Sequence, residues 1–97
     1  MSTEFRARNF SFSEPGTQGG RAQFTNRVRD AGACIQGLIA TFPRNDHHLK
    51  QLTAEVENVR LEDTDVAYDV VFNLIDGSNN KGSGEINVLV IADVEAR

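Results

Sequence analysis

The chain has 97 residues, 39% of them hydrophobic and 25% charged, and a formal net charge of −4. That is one domain's worth of folded polypeptide, too apolar for a disordered chain. It is also too acidic for general nucleic-acid binding, which needs clustered Lys and Arg to hold phosphates.

Charge and hydropathy bound the chain further. Residues 1–30 carry five Arg (Arg6, Arg8, Arg21, Arg27, Arg29) against Glu4, Glu14 and Asp30, a net of +2, while the remainder carries five basic and eleven acidic residues, a net of −6. The plain reading is charge scattered over solvated faces; the sharper one is a basic N-terminal segment docking on the acidic surface of a neighbouring subunit. The N-terminal MSTEFRARNF has no apolar leader core, and no run reaches transmembrane length. Synthesis in the cytoplasm is therefore expected, with release only by a route that needs no leader, and no membrane partner.

In chain order, FRARNFSFS (Phe5 to Ser13) reads as an edge strand or extended arm. EPGTQGG (Glu14 to Gly20) reads as a loop, because proline fixes one angle and three glycines permit conformations other residues avoid. Residues 1–20 are thus expected to form an arm or edge strand plus a flexible loop, and 21–97 a single sandwich domain. RAQFTNRVRD fits both a helical and a strand period, and extended structure is favoured because the segment is short and ends in AGA. ACIQGLIATF is an apolar strand ended by Pro43, with Leu38, Ala40 and Phe42 on one face and Ile35, Gly37, Ile39 and Thr41 on the other. Cys34 lies in this run. As a lone cysteine it can form neither an internal disulfide nor a zinc site, and it reads as a small buried core residue.

After the PRND turn, HLKQLTAEVENVRLE changes phase. Leu52, Ala54 and Val56 share a face, and Val59 and Leu61 resume three residues on, which marks a bulge. EDTD is a turn. VAYDVVFNLID puts Val66, Tyr68, Val70, Phe72 and Leu74 on one face, and DGSNNKGSG reads as a hairpin connection. In EINVLVIADVE, Ile86, Val88, Val90 and Ala92 face one way, but Leu89 and Ile91 make the other face apolar too. The whole is an antiparallel sandwich or small barrel of about six strands. A strand apolar on both faces needs cover on both, so a subunit interface is expected there, extended by Val71 and Ile75; cover by a loop or the N-terminal arm is the alternative.

The order GLIATF, polar turn, LTAEVENV, VAYDVVFNLID, INVLVIA, ending in Val90-Ile91-Ala92, resembles the H-type lectin family over about residues 37–92. The resemblance implies a six-stranded antiparallel β-sandwich assembling as a homotrimer, with a carbohydrate or glycoconjugate bound in clefts between subunits. Lys50 falls near a basic position of the family. The family's aromatic positions in the last two strands fall here on Leu74, Ile75 and Val90, and the chain has no tryptophan.

Both histidines sit in RNDHHLK. The plain reading of Asp46, His47 and His48 is a polar turn. Successive side chains of a strand point to opposite faces, so His47 and His48 cannot both ligate one ion within a subunit. One His per chain could converge on a three-fold axis and bind zinc or nickel. Alternatively, the turn rims an intersubunit cleft and its side chains hydrogen-bond a ligand's hydroxyls. Either role would weaken on acidification, near an unperturbed histidine pKa of about 6.5. DGSNNKGSGE is rich in oxygens but lacks calcium-loop spacing, and Asp76, Asn79 and Asn80 are its candidate ligand residues. No activated nucleophile or catalytic motif is present, so no enzymatic activity and no cofactor are expected. The functional expectation is an oligomeric carbohydrate-binding module; the alternative is a structural protein of fibre or tail type with no small ligand. A metal-dependent enzyme ranks last.

Overall fold

The computed structural model describes residues 2–42, 49–78 and 80–95. Six strands follow in chain order: β1 (Ser2–Phe12), β2 (Gly16–Gln23), β3 (Val28–Thr41), β4 (Leu49–Glu62), β5 (Asp65–Asp76) and β6 (Ser83–Val94). They form two antiparallel three-stranded sheets, one ordered β1-β6-β3 and the other β2-β5-β4. The result is an all-β sandwich of 55 × 17 × 16 Å, drawn out along its strands.

The period-two pattern creates the core. Val66, Tyr68, Val70, Phe72 and Leu74 of β5 are buried, facing Ile86, Val88, Val90, Ala92 and Val94 of β6. Both are the central strands of their sheets, so their inward side chains are covered from every side. Each such large apolar side chain stabilises the fold by roughly 1.5–3 kcal/mol. Phe10 and Phe12 of β1 complete this core: Phe12 stacks on Phe72 at 5.3 Å, and Phe10 meets Tyr68 edge-on at 5.9 Å.

Several expectations change. The expected loop at residues 14–20 is mostly strand, because β2 begins at Gly16 and pairs with β5 through Gly20 opposite Tyr68. Gly20 is needed there, since a Cβ would stand 2.5 Å from the Tyr68 ring and 2.7 Å from that of Phe10. In β3 a register shift between Ile35 and Gly37 reverses the phase, so Ile35 shares the inward face with Leu38. Cys34 consequently points outward beside Leu89 and is exposed, not buried. The bulge read in β4 is present between Glu57 and Arg60, with Asn58 in the left-handed region at φ 53°. The β5–β6 connection is not a hairpin within one sheet, because it carries the chain from one sheet to the other. Val71 and Ile75 therefore lie on the opposite outer face from Leu89 and Ile91 and cannot extend their patch.

The two lateral sides of the sandwich differ. On the β1/β2 side, polar groups bridge the sheets. Arg6 Nε donates to the Gln23 carbonyl at 3.0 Å while its guanidinium lies 4.9 Å over the Phe24 ring. Gln18 Nε2 donates to the Ser11 carbonyl, and the Thr25 hydroxyl donates to Glu4. The Thr25 hydrogen bond, aided by Arg6, holds the Glu4 carboxyl below its usual value. On the β3/β4 side the inward residues are aliphatic, Ile35 and Leu38 on β3 and Leu52, Val56 and Leu61 on β4.

Candidate functional site

Four strand ends meet at one end of the sandwich. Leu49 pairs with Asp76, and Thr41 pairs with Ser83, so β3 and β5 end, and β4 and β6 begin, at this one end. Asp46, His47, His48 and Asn79 lie outside the described residues, and the metal and rim readings of the histidines lie there with them. Lys50 is in the first turnward residues of β4.

Asp76 and Asn80 are brought together, and they engage each other. One Asp76 carboxylate oxygen accepts from the Ser78 N–H at 2.9 Å and the Asn80 N–H at 2.8 Å; the other accepts from Asn80 Nδ2 at 3.0 Å. The Asp76 N–H donates to the Asn80 carbonyl. Asp76 is 4% exposed. Its carboxylate organises the turn from beneath, as aspartates in tight turns do by accepting from N–H groups just ahead of them.

The strongest surface feature runs from this end along β3 and β4. Of the eight large hydrophobic residues exposed among the described residues, six are here: Leu38, Ile39, Leu49, Leu52, Val59 and Leu61. Leu38, Leu52 and Leu61 stand in core phase, opposite the buried Ile86, Leu74 and Val66. Yet they are 41%, 43% and 44% exposed. They face inward from the outermost strands, and among the described residues no further strand lies beyond them. Hydrophobic periodicity marks such residues as core, and only the strand order shows that they sit at an open side.

The outer faces of the two sheets also contrast. That of β2-β5-β4 is laced with charge: Arg21 reaches Glu62 and Asp65 at 3.0 Å each, and Asn58 Nδ2 donates to Asp69 at 2.9 Å. On β1-β6-β3, Phe5, Ile91 and Gly32 form one cross-strand row and Ala7, Leu89 and Cys34 the next. A shallow groove of ≈ 430 Å³ opens beside them, lined by Thr3, Asp30, Gly32, Ile91 and Asp93.

No family model, curated protein or solved structure matches the chain. Among the described residues, no three His, Cys, Asp or Glu side chains gather as metal ligands, and no helix is long and apolar enough to cross a membrane.

Proposed function

We propose that this chain is a non-enzymatic, self-assembling binding module. Copies close on one another along the β3/β4 side, as a homotrimer, and bind carbohydrate in the clefts this creates at the end that carries the 42–49 and 76–83 connections. The observation that carries the reading is the row of core-phase leucines left exposed on the two outermost strands. Apolar surface of this extent on a small chain favours association.

The size of the surface supports a second copy as the occupant. Each strand has 14 residues, so the side is about 45 Å long at ~3.3 Å per residue. With a sandwich 16–17 Å across, it offers about 700 Å², near the ~800 Å² each partner contributes to a standard stable interface. The ligand follows from position. The apolar side runs up to the end where Leu49 and Asp76 pair, so a neighbour packed on it brings its own surface close to Asn80 and to the start of β4. Amide, ammonium and imidazole groups are the kinds of donor and acceptor that suit a polyhydroxyl ligand, and the sequence supplies all three between Asp46 and Asn80, in keeping with the H-type lectin resemblance.

One observation favours the second reading, a purely structural assembly. The Asp76 carboxylate already accepts three hydrogen bonds from its own turn. Sedimentation of the untagged chain followed by a glycan array separates the readings. A trimer that binds defined glycans is expected; a trimer blind to all of them leaves the structural reading; a monomer sinks both.

A further inference from the structure

Resting on that self-assembly, we infer that copies join by strand addition: β3 of one copy pairs, antiparallel, with β4 of the next, merging a β1-β6-β3 sheet with its neighbour's β2-β5-β4 sheet.

Strand order supplies the first premise. β3 and β4 each end a sheet, so each presents one row of unpaired backbone N–H and C=O groups on the same side as the exposed leucines. A partner that covered the side chains but not these rows would leave polar backbone buried and unsatisfied, at about 1–3 kcal/mol for each group. The occupant therefore has to offer both an apolar surface and a strand edge.

Symmetry supplies the second. Thr41 and Leu49 stand at one end of the molecule, while at the other the Val28 N–H donates to the Asp63 carbonyl at 2.8 Å. β3 and β4 of one copy therefore run in opposite directions in different sheets. Rotation about an axis parallel to the strands along this side preserves strand direction. It brings β3 of one copy against β4 of the next, antiparallel, whether two copies or three complete the ring. Such a head-to-tail contact closes on itself, and no edge on this side is left over.

The sequence of the edge supplies the third. Ala31 to Thr41 carry no charge and no proline, two of the devices that normally protect a free edge, whereas β4 carries Lys50, Glu55, Glu57, Arg60 and Glu62, so the uncharged edge is that of β3. β3 pairs regularly with β6 from Gly37 to Thr41, and β4 with β5 from Gln51 to Glu57. These regular stretches lie side by side: Gly84, opposite Ala40, abuts the Phe72 ring, and Phe72 lies opposite Ala54. That sets Ile39 near the level of Thr53 and Glu55.

Disulfide trapping tests the inference. Ile39 faces outward on one sheet, and Gln51, Thr53 and Glu55 face outward on the other, so they point apart within one copy and cannot be bridged. Across a β3–β4 junction between copies they share one face, where opposed residues stand about 4.5–5.5 Å apart, within disulfide reach. In a Cys34→Ser background, Ile39→Cys is mixed in turn with Gln51→Cys, Thr53→Cys and Glu55→Cys, exchanged and oxidised. Sedimentation is run alongside on the same background. Covalent heterodimers from at least one mixture, absent from each variant alone, are expected. An assembled protein that links Ile39→Cys only to itself, or forms no link in any mixture, overturns strand addition and leaves self-assembly standing. A monomeric protein overturns both.

Discussion

Gly20→Ala sets two effects of opposite sign against each other. No glycine of the chain has a positive φ among the described residues, so backbone entropy alone would make alanine stabilising by about 0.4–1 kcal/mol. The new methyl, however, would stand 2.5 and 2.6 Å from two carbons of the Tyr68 ring and 2.7 Å from Phe10 Cζ. Carbon contacts are comfortable at about 3.5–4.0 Å, so both rings would have to retreat by about 1 Å. Tyr68 and Phe10 are 1% and 2% exposed and packed edge-on, so the shift has to be taken up inside the core. Overpacking of this kind costs about 1–3 kcal/mol, which cancels the entropic gain and leaves a net loss of up to about 2.6 kcal/mol. Gly32→Ala is the comparison. Nothing lies within 4 Å of its Cβ position, so the same substitution should gain about 0.4–1 kcal/mol. Urea unfolding followed by far-ultraviolet circular dichroism, at one fixed chain concentration because assembly shifts apparent stability, measures both. A Gly20→Ala protein stabilised as much as Gly32→Ala would refute the packing account of β2.

Three further outcomes follow. Tyr68 is the only tyrosine. Burial pushes its pKa above 10.0, against the opposing charge of Arg8, so the fold favours the neutral phenol. Its stabilising contribution is complete below pH 10 and is lost as pH rises through the folded-state value. Absorbance at about 295 nm should then rise together with loss of the strand dichroism, and ionisation at an ordinary pKa in an intact fold would contradict the burial. Asp76→Ala leaves the Ser78 and Asn80 N–H groups without their acceptor and should cost about 1–3 kcal/mol in urea unfolding; an unchanged midpoint would show the turn does not depend on the carboxylate. Cys34 should react with a thiol reagent in the folded protein at a rate close to that of the unfolded chain, because it is exposed. Protection by orders of magnitude would return it to the core.

Alternation in β5 and β6 was legible in the sequence because both strands are central, so every inward residue is buried. The β4 bulge was legible because an odd step in the apolar pattern has few other causes. Cys34 was not, since the single extra residue at Gln36 that flips the phase of β3 leaves no mark in an almost wholly apolar run. β2 was hidden because three glycines in a short stretch ordinarily signal a turn, whereas Gly20 serves close approach to Tyr68 within a strand. The open side was hidden for a more general reason. Periodicity tells which way a side chain points, but lateral position in a sheet depends on pairing between distant segments. Leu38 and Ile86 have the same pattern, yet one is exposed and the other buried. At the polar end, composition picked out Asp76 and Asn80, but only geometry shows that they bind each other.

The place of β6 in its sheet also bears on how the protein is made. β1 and β3 do not pair with each other; both pair with β6, the last of the six strands in chain order. At a translation rate of about 5–20 residues per second, the segment from Thr41 to Ser83 takes roughly 2–8 s to emerge. Throughout that interval the neutral, aliphatic β3 is outside the ribosome without its hydrogen-bonding partner. β2, β4 and β5 can pair once Asp76 has emerged, still ahead of β6. Nascent chains crowded on one message are therefore most vulnerable to joining through β3 before β6 arrives.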